Sequence, residues 1–503
     1  MVLLSLLELL ALLLILGVTI VVWVLPFQWT SARVRKLLDQ LPGPKAYPII
    51  GNAHSFLVPE EDTLGVFATW MKEYGPVFRY WIFGTPSVMV SDPDIIEKIM
   101  NDHQVANRSI FHRNLKSWLE NGLLTSEGEY WHRHRRLLLP AFHVGVLSGY
   151  VGIFNENSRI LVEKLKETTS DDLLDLLSMW ALSSLCRTSM GITLDQNSPE
   201  GRRYCKNIRR INELFVKRYR SVWLINDLIY KLSPQGREWR RVVKEVQSFT
   251  ENVIKLRMAE YKNKEKDAIS EDAISEDLGL KKRKSFLDIL LEQSDALTPK
   301  ELREEVDTFM FGGHETTAVT MNWLLYLLGL YPEEQEKVYQ EIIYTLGDDD
   351  LTMENLRDLK YVDQVMSESQ RLYPTVAALS RDLHKDINIK GYVLPANSTI
   401  VMPNILSNRS EEIYPEPLKF NPENFSSEAI RSRHRCSFMP FGYGPRKCIG
   451  FRYSNLKIKV GIVHILRNFK VKSLDTHEDL KVIMAITSAP NRKHRILLTP
   501  RSK

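Results

Sequence analysis

The feature that most constrains the fold is one long helical segment in the second half of the chain. Thr298 can cap it, Pro299 suits its first position, and Glu301 can close a capping box. The segment then stays mostly apolar to about Leu330 and ends near Pro332. At about 1.5 Å per residue, this helix is about 48 Å long, enough to cross a whole domain. The sequence therefore predicts a large domain of mainly α class.

Short segments rich in β-branched and aromatic residues predict only a minor β-sheet, at 77–81, 87–90, 387–389 and 399–402. One polar stretch interrupts the remainder, with a tandem pentapeptide at 267–276 followed by four basic residues at 281–284. Because a helical pattern resumes at Phe286, residues 260–285 are interpreted as a mobile charged loop inserted within a single domain.

The N-terminal segment has a different character, because residues 2–27 are apolar apart from Glu8. A helix of this length exceeds the roughly 30 Å hydrocarbon core of a bilayer. No basic region precedes it, so an anchor is favoured over a cleaved leader, and unbroken apolarity disfavours a buried core helix. Arg33, Arg35 and Lys36 follow it, which predicts that the body of the protein faces the cytosol. The predicted division is a transmembrane anchor over 1–29, a basic and proline-rich linker over 30–52, and one domain over 53–503.

Composition excludes several classes of protein. The 503 residues include 67 Lys and Arg against 62 Asp and Glu, and 44% are hydrophobic, which is ordinary for a folded protein and excludes disorder. Four cysteines are too few for a disulfide scaffold. The near balance of charge also disfavours nucleic acid as a partner.

The most informative segment is the glycine-rich loop 441–450, which surrounds Cys448 and precedes a helical pattern over 453–466. Such a loop can donate backbone N–H hydrogen bonds to a thiolate, and its glycines let a flat ligand approach the backbone. Zinc is disfavoured, because Cys436 is the only other nearby cysteine and no matching ligand pair follows. A cysteine protease is disfavoured as well, because its local signature is absent.

Five residues of this loop fill the pattern Phe-x-x-Gly-x-Arg-x-Cys-x-Gly: Phe441, Gly444, Arg446, Cys448 and Gly450. The pattern resembles the haem-thiolate loop of cytochrome P-450 enzymes. The resemblance implies the cytochrome P-450 fold, with these five residues binding the cofactor. It also implies that the cysteine thiolate is the axial ligand of the haem iron and promotes O–O cleavage, while the arginine contacts a haem propionate.

Two further motifs stand in the order of that family. Glu368 and Arg371 match ExxR, whose side chains lie one helical turn apart and can form an ion pair. In the family this pair is structural, although the motif alone is more typical of an ordinary surface pair. Trp131 and Arg135 match WxxxR, which the resemblance assigns to the haem propionates. An amphipathic basic helix is the alternative for that segment.

The middle of the long helix contains residues 312–317, Gly-Gly-His-Glu-Thr-Thr. These residue types lower helical propensity, so a local opening is expected, with threonine hydroxyls and waters satisfying the freed backbone groups. The resemblance implies that dioxygen binds there, that Thr316 hydrogen-bonds it and that Glu315 supplies protons, with Gly313 beside the cofactor. A merely kinked helix is the alternative.

Residues 137–143, 305–311 and 438–441 are similar to the fourth cytochrome P-450 family, typified by fatty-acid ω-hydroxylases and many insect enzymes. Many of its members esterify a glutamate to the haem, but this chain has Gly312 there, so its haem b is expected to be non-covalent. The family's arginine in a Pro-Glu-Arg-Phe segment is Asn424 here, which puts the third partner of the ExxR pair in doubt.

The resemblance implies a membrane-bound monooxygenase that inserts one atom of O2 into a lipophilic substrate: a fatty acid or related lipid, a terpenoid or a xenobiotic. Because no dinucleotide-binding signature is visible, electrons must come from a partner. NADPH-cytochrome P-450 reductase is expected, with cytochrome b5 as a second donor. The expected location is the endoplasmic reticulum membrane, with a single span and a cytosolic catalytic domain.

Basic residues near the thiolate loop predict a docking face for an acidic flavoprotein: Arg133, Arg136, Arg446, Lys447, Arg452, Lys457 and Lys459. An apolar stretch over 222–230 is interpreted in two ways, either as a segment that dips into the bilayer or as part of the core.

Two rival functions stay open. One is the rearrangement of a hydroperoxide without external electrons, and the other is a haem-thiolate sensor without turnover. A sensor would need Cys448 but would have no use for Glu315 and Thr316, so their presence favours an enzyme.

Overall fold

A computed structural model describes residues 8–14, 17, 31–48, 50–102, 109–167, 173–271, 285–292 and 297–501. Most of the described chain is helical, and its α-helices are α1 Ala32–Leu38, α2 Thr63–Tyr74, α3 Pro93–Asn101, α4 Ile110–Leu119, α5 Gly128–Leu138, α6 Val144–Ser148, α7 Val151–Lys166, α8 Leu173–Leu185, α9 Pro199–Arg220, α10 Asp227–Leu232, α11 Pro234–Glu271, α12 Phe286–Glu292, α13 Pro299–Leu330, α14 Pro332–Leu346, α15 Lys360–Leu372, α16 Asn404–Ser407, α17 Ser427–Ser432 and α18 Phe451–Asn468.

The strands of the described residues form one four-stranded sheet and three small pairs. Their bounds are β1 Val77–Ile82, β2 Thr85–Val90, β3 Leu379–Asp382, β4 Ile387–Ile389, β5 Tyr392–Leu394, β6 Thr399–Met402, β7 Phe469–Ser473, β8 Val482–Ile483, β9 Ala489–Pro490 and β10 Ile496–Pro500. The main sheet has the order β1-β2-β6-β3, with β2 and β6 parallel and the other neighbours antiparallel. The pairs are β4 with β5, β7 with β10, and β8 with β9. The prediction of a mainly α fold with a minor sheet is confirmed, and the four predicted strands correspond to β1, β2, β4 and β6.

Helix α13 is the central element of the core. Its capping box forms as predicted, because the Thr298 hydroxyl accepts from the Glu301 N–H at 3.2 Å and Glu301 accepts from the Thr298 N–H at 2.8 Å. It packs closely on α8, where a side chain at Gly313 would meet Leu185 at 2.7 Å. At Gly461 of α18, a side chain would likewise meet Trp180 of α8 at 2.6 Å. Glycines therefore let α8 approach both α13 and α18.

The predicted linker is partly built into the body of the protein. Leu38 and Leu41 are buried in a core cluster with residues of β1 and β2. The Arg79 N–H of β1 donates to the Pro42 carbonyl at 2.9 Å, and its guanidinium donates to the Pro44 carbonyl at 3.1 Å. The proline-rich segment is therefore an edge contact of the sheet.

Two other predicted segments are only partly described. The N-terminal half of the predicted loop 260–285 is helical, because α11 continues to Glu271, and residues 272–284 lie outside the described residues. Of the predicted anchor over 1–29, only 8–14 and 17 are described. Among the described residues, no helix combines the length and the apolarity that a membrane span requires.

The predicted ion pair of Glu368 and Arg371 lies fully buried at the end of α15. The Arg371 Nε and Nη2 donate to the two Glu368 oxygens, both at 2.7 Å. The same guanidinium donates to the carbonyls of Asn408, Pro417 and Lys419 at 2.6–2.9 Å. One buried pair thus fixes the long irregular segment that precedes the cysteine loop.

Asn424 supplies the third partner that the sequence left in doubt. Its side-chain amide donates to Glu368 Oε1 at 3.2 Å, beside the Asn421 N–H at 2.8 Å. Arg433 donates to the Asn424 carbonyl, and its guanidinium lies over the Tyr414 ring with 4.7 Å to the centroid. A neutral donor therefore completes the network where the family's arginine is absent.

We expect the network to dominate local stability. Arg371→Met should lower the free energy of unfolding by about 3–5 kcal/mol, because it leaves the Glu368 carboxylate buried without its cation. Asn424→Ala, which removes one neutral hydrogen bond, should cost about 1 kcal/mol. Exposed Glu423→Ala, in the same segment, should change it by less than about 0.5 kcal/mol. Urea unfolding of the three variants checks this, and equal midpoints for Asn424→Ala and Glu423→Ala would contradict the assignment of Asn424.

Candidate functional site

The cysteine loop is a tight turn that can only be built with glycine. Gly442 and Gly444 both have φ of +71°, and a side chain at Gly444 would meet the Met100 carbonyl oxygen at 2.1 Å. The Cys448 N–H donates to the Phe441 carbonyl at 2.9 Å and closes the loop. Gly450 then caps the N-terminus of α18. The loop therefore presents Cys448 just before the positive end of a helix, which favours a thiolate.

Cys448 differs from the other cysteines in its exposure. Its side chain is exposed, whereas Cys186, Cys205 and Cys436 are buried. Burial raises the pKa of Cys186 to about 12 and that of Cys436 to about 11, so these thiols stay protonated. Among the four cysteines, the loop cysteine alone combines exposure with a position that favours a thiolate.

The structure brings the predicted residues of α5 together with this loop. Trp131 is buried, and the Arg446 guanidinium lies over its ring with 4.2 Å to the centroid. Arg135 lies over the same ring at 5.4 Å and donates to the Lys447 carbonyl at 2.8 Å. Burial lowers the pKa of Arg135, and the neighbouring Cys448 opposes this shift. Two cations and an indole therefore stand beside the cysteine.

Arg381 of β3 is a further member of this group that the sequence analysis missed. It is buried, and burial lowers its pKa to about 10. Burial also lowers the pKa of Arg446 to about 9, with the charge of Arg381 adding to the effect. A single arginine inside a short, unpredicted strand carries no motif, so only the packing of β3 reveals it.

The donors of Arg446 are only partly used. Its Nη2 donates to the Ser126 carbonyl at 2.7 Å, but Nε and Nη1 are buried and have no hydrogen-bond partner among the described residues. Buried unpaired cations are costly, and their cost disappears when an anion is bound. The arginine cluster (Arg135, Arg381 and Arg446) therefore fits a ligand that carries carboxylates.

Residues 312–317 lie within a continuous helix, so the expected local opening of α13 is not present. The Thr316 hydroxyl donates to the Gly312 carbonyl at 2.7 Å, and the Thr317 hydroxyl donates to the Gly313 carbonyl at 3.1 Å. These hydroxyls supplement the backbone ladder without replacing it. Gly312 is exposed, and a side chain there would meet nothing within 4 Å, so α13 faces open space at this point.

Glu315 points into a buried polar cluster. Its Oε1 accepts from the Asn212 amide at 3.4 Å and from the Thr487 hydroxyl at 3.5 Å. The Asn212 amide also donates to the Thr487 hydroxyl at 2.7 Å. Burial raises the pKa of Glu315 to about 7, while Arg209 opposes the shift. Asn212 and Thr487 lie far from α13 in sequence, and no local pattern indicated them.

Only some residues of the predicted docking face are exposed. Lys457 and Lys459 are buried, as is Arg446, so these three residues do not belong to a surface. For the two lysines the error arises because they lie on the buried face of α18, whereas Arg452 of the same helix is exposed. The exposed basic residues of the group are Arg133, Arg136, Lys447 and Arg452.

The apolar stretch 222–230 divides between surface and core. The side chains of Trp223 and Leu228 are 61% and 58% exposed, whereas Leu224 and Tyr230 are buried. Arg220, which precedes the stretch, donates to the Val58 carbonyl and to the Thr63 hydroxyl. This contact places the stretch near Leu57, which is 81% exposed.

Comparisons with known proteins agree with this geometry. The profile of the cytochrome P-450 family matches residues 41–496. Cytochrome P-450 4c3 of Drosophila melanogaster is 33% identical over 96% of this chain and 93% of its own. Cytochrome P-450 4c21 of Blattella germanica is 33% identical over 97% of this chain and 99% of its own. Cytochrome P-450 4V2 of Mus musculus is 33% identical over 94% of this chain and 92% of its own.

A helical body, a glycine-framed cysteine and buried arginines fit the haem-thiolate class of proteins. The chain belongs to the cytochrome P-450 family, and its relatives are members of the fourth family. It is a cytochrome P-450 monooxygenase, as the sequence predicted. The family uses haem b, O2, a small-molecule substrate and a redox partner. The unpaired donors of Arg446 fit the propionates of this haem, and the exposed thiol of Cys448 fits its iron.

Proposed function

We propose that the protein is a membrane-bound monooxygenase that inserts one oxygen atom of O2 into a lipophilic substrate, with electrons supplied by NADPH through a reductase. The observation that carries this proposal is the exposed Cys448 beside the arginine cluster. A fatty acid or related lipid is the leading substrate class, and terpenoids and xenobiotics are the others.

Each residue near the cysteine has one role in holding the cofactor. Haem b, when bound, supplies the redox chemistry and activates dioxygen. Cys448 would bind the iron through its sulfur, and Phe441, Gly444 and Gly450 shape the loop. The arginine cluster binds the propionates, and the Trp131 ring orients two of its guanidiniums.

Proton delivery is the task of Glu315 and Thr316. With a pKa of about 7, the Glu315 carboxyl is partly protonated at neutral pH, so it can give up a proton and be reloaded. Asn212 and Thr487 hold its Oε1 in place. The Thr316 hydroxyl donates to the Gly312 carbonyl and must leave this hydrogen bond to present its proton to dioxygen.

We expect the reduced wild-type protein to give a carbon-monoxide difference band near 450 nm, which Cys448→His abolishes by removing the thiolate. Glu315→Gln should keep the band but slow NADPH-dependent product formation by about 10²-fold, because it removes a proton donor. The wild-type rate should fall above pH 7 as Glu315 loses its proton, and the variant should lack this limb.

Exposed Glu333→Gln is the matched control and should behave as wild type. The measurements are product and NADPH consumption with added reductase, for fatty acids, terpenoids and xenobiotics. Conversion of a hydroperoxide without reductase would support rearrangement as the function. Absence of any product with every substrate would support a sensor.

We also propose that the haem is held without a covalent bond. The open space beside Gly312 supports this, because no carboxylate of α13 stands at that position. The same space would accommodate a longer side chain without a clash.

Acid treatment of the turned-over wild-type enzyme should therefore release all of its haem into solvent. Gly312→Glu should retain part of its haem on the protein after turnover, because oxidation of a haem methyl C–H during turnover with O2 and NADPH would let the new carboxylate replace that hydrogen and form an ester. Gly312→Gln has the same size without the carboxylate and should release all of it. Extraction and mass spectrometry of the three proteins check this, and haem retained by the wild type would contradict the proposal.

We propose that the exposed basic residues form a docking face for the electron donor. Arg136, Lys447 and Arg452 lie on the elements that carry Trp131 and Cys448, and they suit an acidic partner. We assign this face to NADPH-cytochrome P-450 reductase, with cytochrome b5 as a second donor. Because exposed charges are screened by salt, the rate of reduction in the turnover experiment should fall as ionic strength rises.

Membrane association rests on the sequence of 1–29 and on an exposed apolar patch. We place the anchor at 1–29, the linker at 30–52 and the catalytic domain at 53–503, with a charged loop within 260–285, a single span in the endoplasmic reticulum membrane and a cytosolic body. The patch, formed by Leu57, Trp223, Ile225 and Leu228, would lie in the bilayer near the anchor.

We expect a protein that lacks residues 1–30 to retain partial binding to phospholipid vesicles through this patch. Replacing Trp223 and Leu228 by serine should reduce that binding by at least about tenfold, because each apolar side chain contributes about 1.5–3 kcal/mol on burial. Tyr344→Ser, at a residue that is 95% exposed on α14, is the control. Vesicle flotation measures binding, and equal flotation of the two variants would contradict a role for the patch.

A further inference from the structure

Lys457 is a buried cation that the proposed mechanism does not use. It lies on α18, the helix that follows the cysteine loop, nine residues beyond Cys448. Its side chain is fully buried. A lysine in this environment requires an explanation, because lysine is almost never fully buried unless it is paired.

The amine of Lys457 joins three helices. Its Nζ donates to the Gly313 carbonyl of α13 at 2.7 Å and to the Ala181 carbonyl of α8 at 3.3 Å. It also lies 5.0 Å from the centre of the Tyr453 ring. Within the described part of the chain, Lys457 forms no ion pair. Its strongest contact is therefore with the backbone of α13, at the segment that precedes Glu315 and Thr316.

Stability does not account for this arrangement. Gly313 and Ala181 lie inside α-helices, where the N–H four residues later already serves each carbonyl, and the Gly313 carbonyl also accepts from the Thr317 hydroxyl at 3.1 Å. Removing the amine would leave neither carbonyl unsatisfied. Burial lowers the pKa of Lys457 from its ordinary 10.5 to about 7, which means that the charged amine costs free energy.

Lys459, two residues further on, shows how a buried lysine on this helix is usually stabilised, which is by an ion pair. Its amine reaches the Asp363 carboxylate at 2.8 Å, and that carboxylate is 57% exposed. Lys459 is thus a buried lysine whose amine forms an ion pair, whereas Lys457 directs its amine to the backbone of α13 at Gly313.

We propose that Lys457 is a positioning residue, whose amine holds the Gly313 carbonyl and so sets the spacing between the helix of the thiolate loop and the Glu315–Thr316 segment. The inference rests on the proposed function for Cys448 and Thr316. The Gly312 carbonyl accepts a hydrogen bond from the Thr316 hydroxyl. It is adjacent in sequence to the Gly313 carbonyl, which accepts from Lys457. Movement of Gly313 would therefore move the partner of the Thr316 hydroxyl.

The test compares Lys457→Met with Lys459→Met in the full-length, haem-loaded protein. Methionine keeps an apolar stem and removes only the amine. In Lys457→Met, hydrogen exchange of peptides covering residues 312–318 should rise about tenfold, because a hydrogen bond to a charged group is lost. Product formed per NADPH should fall severalfold, with the excess appearing as hydrogen peroxide. Lys459→Met should change neither quantity.

Thermal stability separates positioning from a structural role. The folded-state pKa of Lys457 lies below its unfolded value, so its cost is complete below pH 7 and fades as pH rises toward 10.5. Lys457→Met should therefore have a higher melting temperature than the wild type at pH 6.5, and this difference should be smaller at pH 9.

The titratable groups that face the amine are Cys186, His314 and Tyr453. The pKa values of Cys186 and His314 lie at about 12 and about 3, and burial raises that of Tyr453, so none of them titrates in this window.

Unchanged exchange and coupling in Lys457→Met would overturn the proposal, as would the same changes in Lys459→Met. A lower melting temperature of Lys457→Met, together with loss of its 450 nm band, would show that Lys457 has a purely structural role. That result would also overturn the proposal. Hydrogen exchange needs no turnover, so it reports on Lys457 independently of catalysis. If Thr316→Ala did not uncouple NADPH consumption from product formation, the proposed function of the Glu315–Thr316 segment would be wrong. The hydrogen-exchange result would still show whether Lys457 holds α13 at Gly313.

Discussion

The site depends above all on buried positive charge, and two donors of Arg446 have no hydrogen-bond partner among the described residues. Arg381 and Arg446 are desolvated side by side, and burial lowers both pKa values. Such an arrangement is unfavourable in the polypeptide alone, and carboxylates bound between these groups would repay the cost. The protein is therefore organised to be completed by its cofactor, and the cysteine loop is held beside these cations because Arg135 donates to the loop backbone.

The buried charges of the ExxR pair are stabilised differently, by an ion pair within the protein. Glu368 and Arg371 neutralise one another, and the remaining donors of the arginine are used by three backbone carbonyls. The network is satisfied by the protein itself, so its role is to fix the chain. Asn424 fits this logic, because a neutral amide completes the carboxylate shell without adding a second buried cation that would need its own partner.

Local sequence signals predicted most of the fold and part of the site. The cap of α13, the cysteine loop and the ExxR pair are encoded by adjacent residues, and short-range physics is enough to interpret them. Arg381, Asn212 and Thr487 became visible only when distant segments packed together. The docking face was overestimated, because a sequence does not show that the amine of Lys457 turns inward. The expected break in α13 was wrong, because threonine hydroxyls can join an intact helix.

That intact helix affects how the proposed chemistry is controlled. In the described state the Thr316 hydroxyl is already satisfied by the Gly312 carbonyl, so its proton is not directed at a ligand. Breaking one such bond costs about 1 kcal/mol, which is small beside the free energy that a bound ligand can supply. The hydroxyl can therefore turn to dioxygen without a change in the helix, provided that the helix itself does not move. A rigid α13, held from α8 by close packing at Gly313 and from α18 by Lys457, meets this requirement better than an opened one.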